Sequence, residues 1–253
     1  MTTSDRTRRA EDLARVELPG GLALRPATVD DLEECARIWR EGIDDYQRPM
    51  NFPPQPDSPG LRRIHAHTLA TDPTRFWVAV SRGHGLAPGP ERVIGFGSAV
   101  DRAGLWFLSM LFVEPGEQGR GVGRAILDQI MPPLEDRRVL GTATDSAQPI
   151  SNGLYASLGI APRMPLFHLI GRPDRPEALP PLPPGIEAER IADDEAEAWL
   201  TDDGEMAELD REVVGFAHPQ DHRFVLAAPR SLFVYRDRAG RLVGYGYTGE
   251  IGM

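Results

Sequence analysis

The sequence predicts an α/β (α+β) protein with one main domain of mixed helices and strands and a smaller module after it. Segments with strand-like alternation or short apolar runs are interleaved with segments of helical spacing. A glycine-rich turn at 113–124 connects an apolar strand to a helix, and a proline-rich stretch at 173–185 precedes a second part in which the pattern begins again. The length of 253 residues leaves ample material for a hydrophobic core.

The composition limits the classes of function. A formal net charge of −10 argues against nucleic acid as the main partner, because a phosphate backbone would be repelled overall. No apolar run approaches the roughly 18–20 residues of a membrane span, and residues 1–15 lack the apolar segment of a secretory signal. Cys35 is the single cysteine, which excludes an internal disulfide, and it is interpreted as a packed thiol. We therefore expect a cytoplasmic protein that binds neither nucleic acid nor membrane.

The first part of the chain is predicted to form an arm, a strand and two helices. Residues 1–19 are expected to be a flexible arm, and the alternation at 22–26 predicts a strand. Thr28 and the acidic residue three positions later are similar to a capping box. Apolar residues then recur at three- and four-residue steps, which predicts an amphipathic helix. Ser58 and Pro59, a cap followed by a first-turn proline, predict the start of a second helix that ends near residue 72.

Three strands, two more helices and two more strands are predicted next. Apolar segments at 76–80 and 92–100 predict a hairpin, and 105–113 supplies a third strand that enters the glycine turn. Helical spacing after the turn extends to about residue 131, where two prolines follow. The remaining elements of the main domain, 20–172, are predicted as a strand at 139–144, a helix at 149–158 closed by Gly159, and a strand at 164–170.

Beyond the main domain the chain is predicted to form a stiff linker and a partial second module. Residues 173–185 contain six prolines, which exclude a helix or an interior strand. In 186–253 the order of strand, acidic helix start, strand and glycine-containing strand repeats that of the main domain, but no second glycine turn follows. We expect this module to lack an anion site, either because it is half a domain or because the natural chain is longer.

The glycine turn has the features of an anion site. Gly119, Gly121 and Gly123 lie between a strand and a helix, where unpaired backbone N–H groups meet the positive end of the helix dipole. The spacing does not match a P-loop, and no Lys-Ser or Lys-Thr follows. It does not match the dinucleotide fingerprint either, and the turn comes late in the chain. The pattern that remains is Q-x-x-G-x-G.

This pattern carries a resemblance to a known family. Val113-x-Pro115-x-x-Gln118-Gly119-Arg120-Gly121-Val122-Gly123 resembles the acetyl-CoA pyrophosphate loop of the GCN5-related N-acetyltransferase (GNAT) superfamily. Residues 154–159, LYASLG, resemble its second signature, with Ile160 in place of a phenylalanine. The element order of 22–171 is also similar. The resemblance implies a GNAT acyl-CoA acyltransferase fold, a mixed and mostly antiparallel sheet flanked by helices, with a half-GNAT module after it.

The resemblance implies acetyl-CoA as co-substrate and assigns a role to each matching position. An amide near Met110 or Leu111 would polarise the thioester carbonyl, and Tyr155 would protonate the departing thiolate. The pantetheine arm would pair with the edge of the strand at Leu111, Phe112 and Val113. Further cofactor contacts are implied for Gln148, Ser151 and Asn152. The pyrophosphate would be held by the turn, comprising Gln118, Gly119, Arg120, Gly121, Val122, Gly123 and Arg124.

The group that deprotonates the acceptor is left open by the sequence. An attacking amine needs a base, and carboxylates near the end of the first helix or the third strand of the meander are candidates. They are Glu41, Asp44, Asp45 and Glu114.

No metal is expected. His65 and His67 lie two positions apart on a helix and face different ways. His218 and His222 have i, i+4 spacing, but Pro219 is expected to break the helix that would align them. His168 is interpreted as a core residue rather than a base.

The leading hypothesis is an N-acetyltransferase of the EC 2.3.1 type. It would transfer an acetyl group from acetyl-CoA to a primary amine of a small molecule or peptide by direct attack in a ternary complex. The alternatives are a non-catalytic acyl-CoA-binding sensor or interaction module, and a relative of the tandem-GNAT enzymes, in which one of two copies is usually catalytic. A homodimer is left open, and the acceptor is not identified.

Overall fold

The computed structural model describes residues 14–82, 90–133, 139–167 and 174–249. The chain divides into two compact units, Met1–Ile160 and Ala161–Met253, and each has its own sheet and its own core.

The first unit is built on a six-stranded sheet. Its strands lie in chain order from β1 to β6, and all neighbours are antiparallel except β5 and β6, which are parallel. The strands are β1 (Val16–Leu18), β2 (Leu22–Pro26), β3 (Phe76–Ser81), β4 (Arg92–Arg102), β5 (Leu105–Val113) and β6 (Val139–Thr142).

Among the described residues of this unit, four α-helices cover the two faces of the sheet. On one face α1 (Leu32–Gln47) and α2 (Pro59–Thr71) enclose a core that includes Ile38 and Phe96. On the other face α3 (Val122–Ile130) and α4 (Pro149–Ser157) enclose a core that includes Trp106 and Ile126. Burial of apolar area on both faces is the main force that holds the sheet between the helices.

The starts of α1 and α2 confirm the capping predictions. The side chain of Asp31 accepts a hydrogen bond from the backbone N–H of Thr28 at 2.8 Å, and a short 3₁₀ turn at Val29–Asp31 leads into α1. Ser58 Oγ accepts from the N–H of Leu61 at 3.3 Å, with Pro59 as the first residue of α2. These contacts satisfy backbone donors that the helices themselves cannot pair.

The parallel strands β5 and β6 separate part of the way along β5. Leu105–Leu108 pair with Val139–Thr142, whereas 109–113 have no partner strand on that side within the described residues. At the same place the register of β4 against β5 shifts, because Ser98 pairs with Met110 and Ala99 with Leu108. Ser109 is therefore the extra residue of a β-bulge, which bends β5 and re-aims its backbone groups.

The second unit has a three-stranded antiparallel sheet of its own. Strands β7 (Glu187–Arg190), β8 (Arg230–Arg236) and β9 (Leu242–Gly249) lie in that order. Between β7 and β8 the chain forms α5 (Glu205–Val213) and α6 (Pro219–Leu226). The order β7-α5-α6-β8-β9 is the same as that of β2-α1-α2-β3-β4 in the first unit.

Three expectations from the sequence are wrong. Val16–Leu18, placed in the arm, form the edge strand β1. The strand expected at 164–170 is absent from 164–167, while its remainder, with His168, lies outside the described residues. Pro219 does not break a helix but is the first residue of α6, where its missing N–H costs no hydrogen bond. No helix in the described part of the chain is long and apolar enough to span a membrane.

Candidate acyl-CoA cleft

A cleft of about 520 Å³ opens where β5 and β6 separate. Its walls come from α1, the outer half of β5, the glycine turn, the end of β6 and α4. It therefore combines an unpaired strand edge with the start of a helix, and both offer backbone hydrogen-bonding groups to a ligand.

The glycine turn begins α3 in a conformation that requires glycine. Gly119 has φ 76° and Gly121, the N-cap of α3, has φ 81°, both in the left-handed region. The first intrahelical bond runs from the N–H of Ala125 to the carbonyl of Gly121 at 3.0 Å. The preceding N–H groups of the first turn have no intrahelical acceptor and point along the positive end of the helix dipole.

The glycines of the turn have free space beside them, as an anion-binding site requires. A Cβ added at Gly119 or Gly121 would meet no heavy atom within 4 Å, and one at Gly123 would meet only Val113 Cγ2, at 3.7 Å. The glycines are thus not packed against the protein, and the surface that they leave bare faces the cleft. Such a cradle fits a phosphate or pyrophosphate group.

Side chains of the turn make contacts of their own. Gln118 Nε2 donates a hydrogen bond to the carbonyl of Val113 at 3.0 Å, which ties the turn to the end of β5. Arg120 is ion-paired with Glu117. Arg124 reaches from α3 to Ser157 of α4, with Nη2 to Oγ at 2.6 Å. The carbonyl of Val113, expected to pair with a pantetheine arm, therefore already accepts a bond from Gln118.

Tyr155 lies at the inner end of the cleft and is only 7% exposed. Burial raises the pKa of its hydroxyl above the usual value of 10, and the hydroxyl is in hydrogen-bond contact with Thr142. Thr142 Oγ1 in turn donates to the carbonyl of Leu108 at 3.0 Å. A buried phenol held in this way keeps its proton at neutral pH and can give it to a nearby anion.

Of the three residues at the start of α4 that were expected to contact the cofactor, two border the cleft and one does not. Gln148 is the N-cap, and its Oε1 accepts from the N–H of Ile150 at 3.0 Å while its side chain borders the cleft. Ser151 also borders the cleft. Asn152, however, donates its side-chain amide to the carbonyl of Gln148 at 2.7 Å and to that of Asp145 at 3.1 Å, and it is not among the residues that line the cleft.

The candidate bases Glu41 and Glu114 lie outside the cleft lining. Glu114 is 8% exposed, and its carboxylate is ion-paired with Arg37 at 2.6 Å and with Arg92. Glu41 pairs with the same Arg37 at 2.8 Å. Asp44 accepts from the backbone N–H of Gln55 at 2.7 Å. Both glutamates are held by guanidinium groups and neither lines the cleft, so this geometry does not support either one as the base.

A carboxylate that the sequence did not single out borders the cleft. Asp145, in the loop after β6, accepts a hydrogen bond from the hydroxyl of Tyr46 on α1 at 3.1 Å. Its other oxygen accepts from the N–H of Ala147 at 2.9 Å. The two side chains join opposite walls of the cleft. Tyr46 and Asp145 are far apart in the sequence, so no local sequence pattern could have predicted their contact.

Two further polar groups of the first unit belong to the core. Cys35 is fully buried and burial raises its pKa, which confirms the packed thiol. His65 is also fully buried, with Nε2 3.2 Å from the sulfur of Met110 and its ring against Phe96. Burial lowers the pKa of His65 to about 4, so the ring is neutral at physiological pH.

Comparison with known proteins agrees with this architecture. Residues 39–160 match the family model of the acetyltransferase (GNAT) family. Among curated proteins, no sequence matches the chain significantly. Together with the solved structures below, the match supports a GNAT acetyltransferase domain at 39–160, with a mixed sheet flanked by helices.

Two solved structures are similar in fold. One is a Pyrococcus horikoshii protein described as a candidate acetyltransferase, with a TM-score of 0.55 and 16% identity. The match covers 86% of this chain, and the chain spans 66% of the length of that protein. The other is a GCN5-related N-acetyltransferase from Sphaerobacter thermophilus, with a TM-score of 0.52, 15% identity, and coverage of 90% of this chain and 72% of that one. At these identities the likeness concerns the fold alone.

Proposed function

We propose that this protein is an acetyl-CoA-dependent N-acetyltransferase that acts on a primary amine of a small molecule or peptide. The observation that carries the proposal is the separation of β5 and β6 directly beside the glycine turn of α3. One ligand that needs both a phosphate cradle and a strand edge is an acyl-CoA, which has a pyrophosphate and an amide-containing arm.

The residues of the cleft fit the two halves of that ligand. The bare backbone of the turn from Gln118 to Arg124 would hold the pyrophosphate. The edge of β5 at Leu111, whose backbone groups point away from β4, would pair with an amide of the arm, as an added strand does. Acetyl-CoA supplies the acetyl group as a thioester.

Two groups of the chain would then act on the thioester. A backbone N–H at the bulge beside Met110 would donate to the thioester oxygen, where negative charge develops. Tyr155 would give its proton to the departing sulfur, which suits a buried phenol of raised pKa. The new bond joins the amine nitrogen to the acetyl carbon, and the bond that breaks is the one from that carbon to sulfur.

Asp145 is proposed as the group that takes the amine proton, directly or through one water. Unlike Glu41 and Glu114, it borders the cleft and is not held by a guanidinium group in any described ion pair. Tyr46 holds one of its oxygens, which fixes the carboxylate at the cleft. A carboxylate in this position would serve an acceptor that arrives as an ammonium ion.

We also propose that the second unit is a partial copy of a GNAT domain. Its support is the shared order of β7-α5-α6-β8-β9 and β2-α1-α2-β3-β4. The cleft is lined by residues of the first unit, and the proposed function assigns acyl-CoA to it.

The decisive experiment separates binding from turnover. Titration with acetyl-CoA is expected to raise the melting temperature, because a ligand at about 100 times its Kd stabilises the native state by about 2.7 kcal/mol. NADH and ATP serve as controls for a generic phosphate site and are expected to give no shift. Release of free CoA thiol is then followed over a panel of amines. No shift with millimolar acetyl-CoA would refute the proposal, and binding without turnover over the panel would favour the acyl-CoA sensor instead.

A further inference from the structure

A compact cluster of potential metal ligands lies in the second unit, away from the cleft. Asp210 is on α5, His218 is the N-cap of α6, and His222 lies one turn further on the same helix. One ligand atom from each of these residues can be chosen so that all three lie within 4.8 Å of one another. The cluster has no part in the proposed acetyl transfer.

The spacing of the ligand atoms suits a small cation. His222 Nε2 lies 2.9 Å from Asp210 Oδ2, and His218 Nε2 lies 3.7 Å from the same oxygen. The two imidazole centroids are 4.3 Å apart. Zinc bonds of about 2.0–2.1 Å in a tetrahedron place neighbouring ligand atoms about 3.3 Å apart. The distances of 2.9 and 3.7 Å from Asp210 Oδ2 to the two histidines bracket this value.

Two tyrosines of β9 orient the ligands from behind. The hydroxyl of Tyr245 donates to Asp210 Oδ1 at 2.6 Å, which leaves Oδ2 directed at the histidines. The hydroxyl of Tyr247 lies 2.7 Å from Nδ1 of His222, so the ring is fixed at both nitrogens. A metal site commonly has such partners, because they set the orientation of a carboxylate and the tautomer of a histidine.

Burial of the cluster adds a charge argument. Asp210 is 3% exposed and His222 is 4% exposed, and in the described residues the ion-pair contacts of Asp210 are with His218 and His222. Buried carboxylates are normally paired with a cation or coordinate a metal. The side chain of His218 is 23% exposed, so a fourth position beside it is open to water.

We propose that Asp210, His218 and His222 bind one divalent transition-metal ion, with Zn²⁺ as the best match. Two imidazoles and one carboxylate are the donors that zinc uses in open sites, whereas Ca²⁺ and Mg²⁺ favour oxygen ligands. The ion would join α5 to α6 and, through the tyrosines, both helices to β9. Its main effect would be to stabilise the second unit, because a metal that binds only the folded state adds its binding energy to folding.

The test uses the full chain without an affinity tag, treated with a chelator and then dialysed. Calorimetric titration with ZnCl₂ is expected to show about one site per chain and a rise in melting temperature. Titration with Co²⁺ is expected to give a visible absorption spectrum typical of four-coordinate Co²⁺ with nitrogen and oxygen ligands. This readout does not depend on enzymatic activity.

Variants distinguish a metal site from a cluster that is held together by hydrogen bonds alone. Tyr247→Phe removes one hydroxyl and is expected to weaken zinc binding about 10–100-fold, while Tyr235→Phe on β8 is a matched control that leaves it unchanged. His218→Ala is expected to weaken zinc binding more than Tyr247→Phe does. The His218 side chain does not cap α6, so the variant is expected to fold, and circular dichroism checks this. Unchanged zinc affinity in His218→Ala, or no zinc binding by the parent chain, would overturn the proposal and leave a structural Tyr–His–Asp cluster.

Discussion

Thr142 Oγ1 donates a hydrogen bond to the carbonyl of Leu108 at 3.0 Å, at the last pair of residues before β5 and β6 separate. The same threonine contacts the hydroxyl of Tyr155. One hydroxyl group therefore closes the paired part of the parallel strands and also positions the phenol at the inner end of the cleft.

Thr142→Val tests this double role. The exchange keeps the side-chain shape and removes the hydroxyl, so we expect a loss of about 0.5–1.5 kcal/mol in the free energy of unfolding. Turnover should also fall, because Tyr155 loses its partner. The control is Thr68→Val, which removes a buried hydroxyl that is bonded to the carbonyl of Ile64 and lies outside the cleft lining. The measurements are chemical denaturation and acetyl-transfer rates for both variants. A similar rate loss in both would contradict a specific role of Thr142 in positioning Tyr155.

Tyr155→Phe is expected to separate chemistry from binding. If the phenol protonates the departing sulfur, kcat should fall about 10²–10⁴-fold, while the Kd for acetyl-CoA changes little. Because burial raises the pKa of Tyr155 above 10, the phenol stays protonated throughout the neutral range. If the proposed activity holds, the parent protein should therefore show no loss of rate from this group in the neutral range. Equal turnover in the variant would remove Tyr155 from the mechanism.

Gly123→Ala is expected to lower cofactor affinity without harming the fold. Its Cβ would meet only Val113, at an ordinary contact distance, and alanine gains about 0.5–1 kcal/mol over glycine in a helix. The methyl group would however fill part of the phosphate cradle. Gly153→Ala gives the same helical gain on α4, where a Cβ meets nothing within 4 Å and the residue does not line the cleft. Thermal melting and CoA titration should show two stable variants, of which Gly123→Ala alone binds CoA weakly.

Asp145→Asn tests the proposed proton acceptor. The amide keeps the shape of the side chain but cannot take a proton, so kcat is expected to fall about 10²-fold or more at neutral pH. The loss should shrink as the pH rises, because more of the acceptor amine is then already deprotonated. Glu114→Gln is the comparison, with an expected loss of stability because Arg37 and Arg92 each lose one ion pair, and with an unchanged pH profile. A flat loss across the pH range would count against Asp145 as the base.

His65→Gln is expected to reduce the acid sensitivity of folding. In the folded protein burial lowers the pKa of His65 from 6.5 to about 4, so the unfolded chain takes up a proton first as the pH falls. The free energy of unfolding is therefore fully present above pH 6.5 and declines as the pH falls toward 4, by about 3 kcal/mol from this group. Denaturation at pH 7 and pH 5 should show a smaller difference for the variant than for the parent. Identical differences would refute this source of pH dependence.

Much of the structure of the first unit could be predicted from local sequence patterns. The start of α2 could be placed because Ser58 and Pro59 act within one turn, and the glycine turn because Gly119 and Gly121 mark a backbone that other residues rarely adopt. Burial of Cys35 followed from its place beside an apolar helical stripe. Each of these signals depends on neighbours a few residues away.

The remaining features depend on contacts between distant residues. Val16–Leu18 are too short for a strand pattern and are held by pairing with β2. The contact of Tyr46 with Asp145 joins residues 99 positions apart. Pro219 shows a different limit, because proline either ends a helix or begins one, and the local sequence did not decide between them. The cluster of Asp210 with His218 and His222 became visible only once α6 was known to start there.

In the part of the chain that the structure describes, residues 109–113 of β5 have one edge without a partner strand, and this edge borders the cleft. Exposed strand edges tend to pair with other polypeptides, and this is a common route to aggregation. Here Trp39 and Ile43 border the edge from α1, and Val122 and Leu154 border it from α3 and α4. These walls restrict the access of another polypeptide to the edge, so the side chains that line the cleft also protect the incomplete sheet from pairing with other chains.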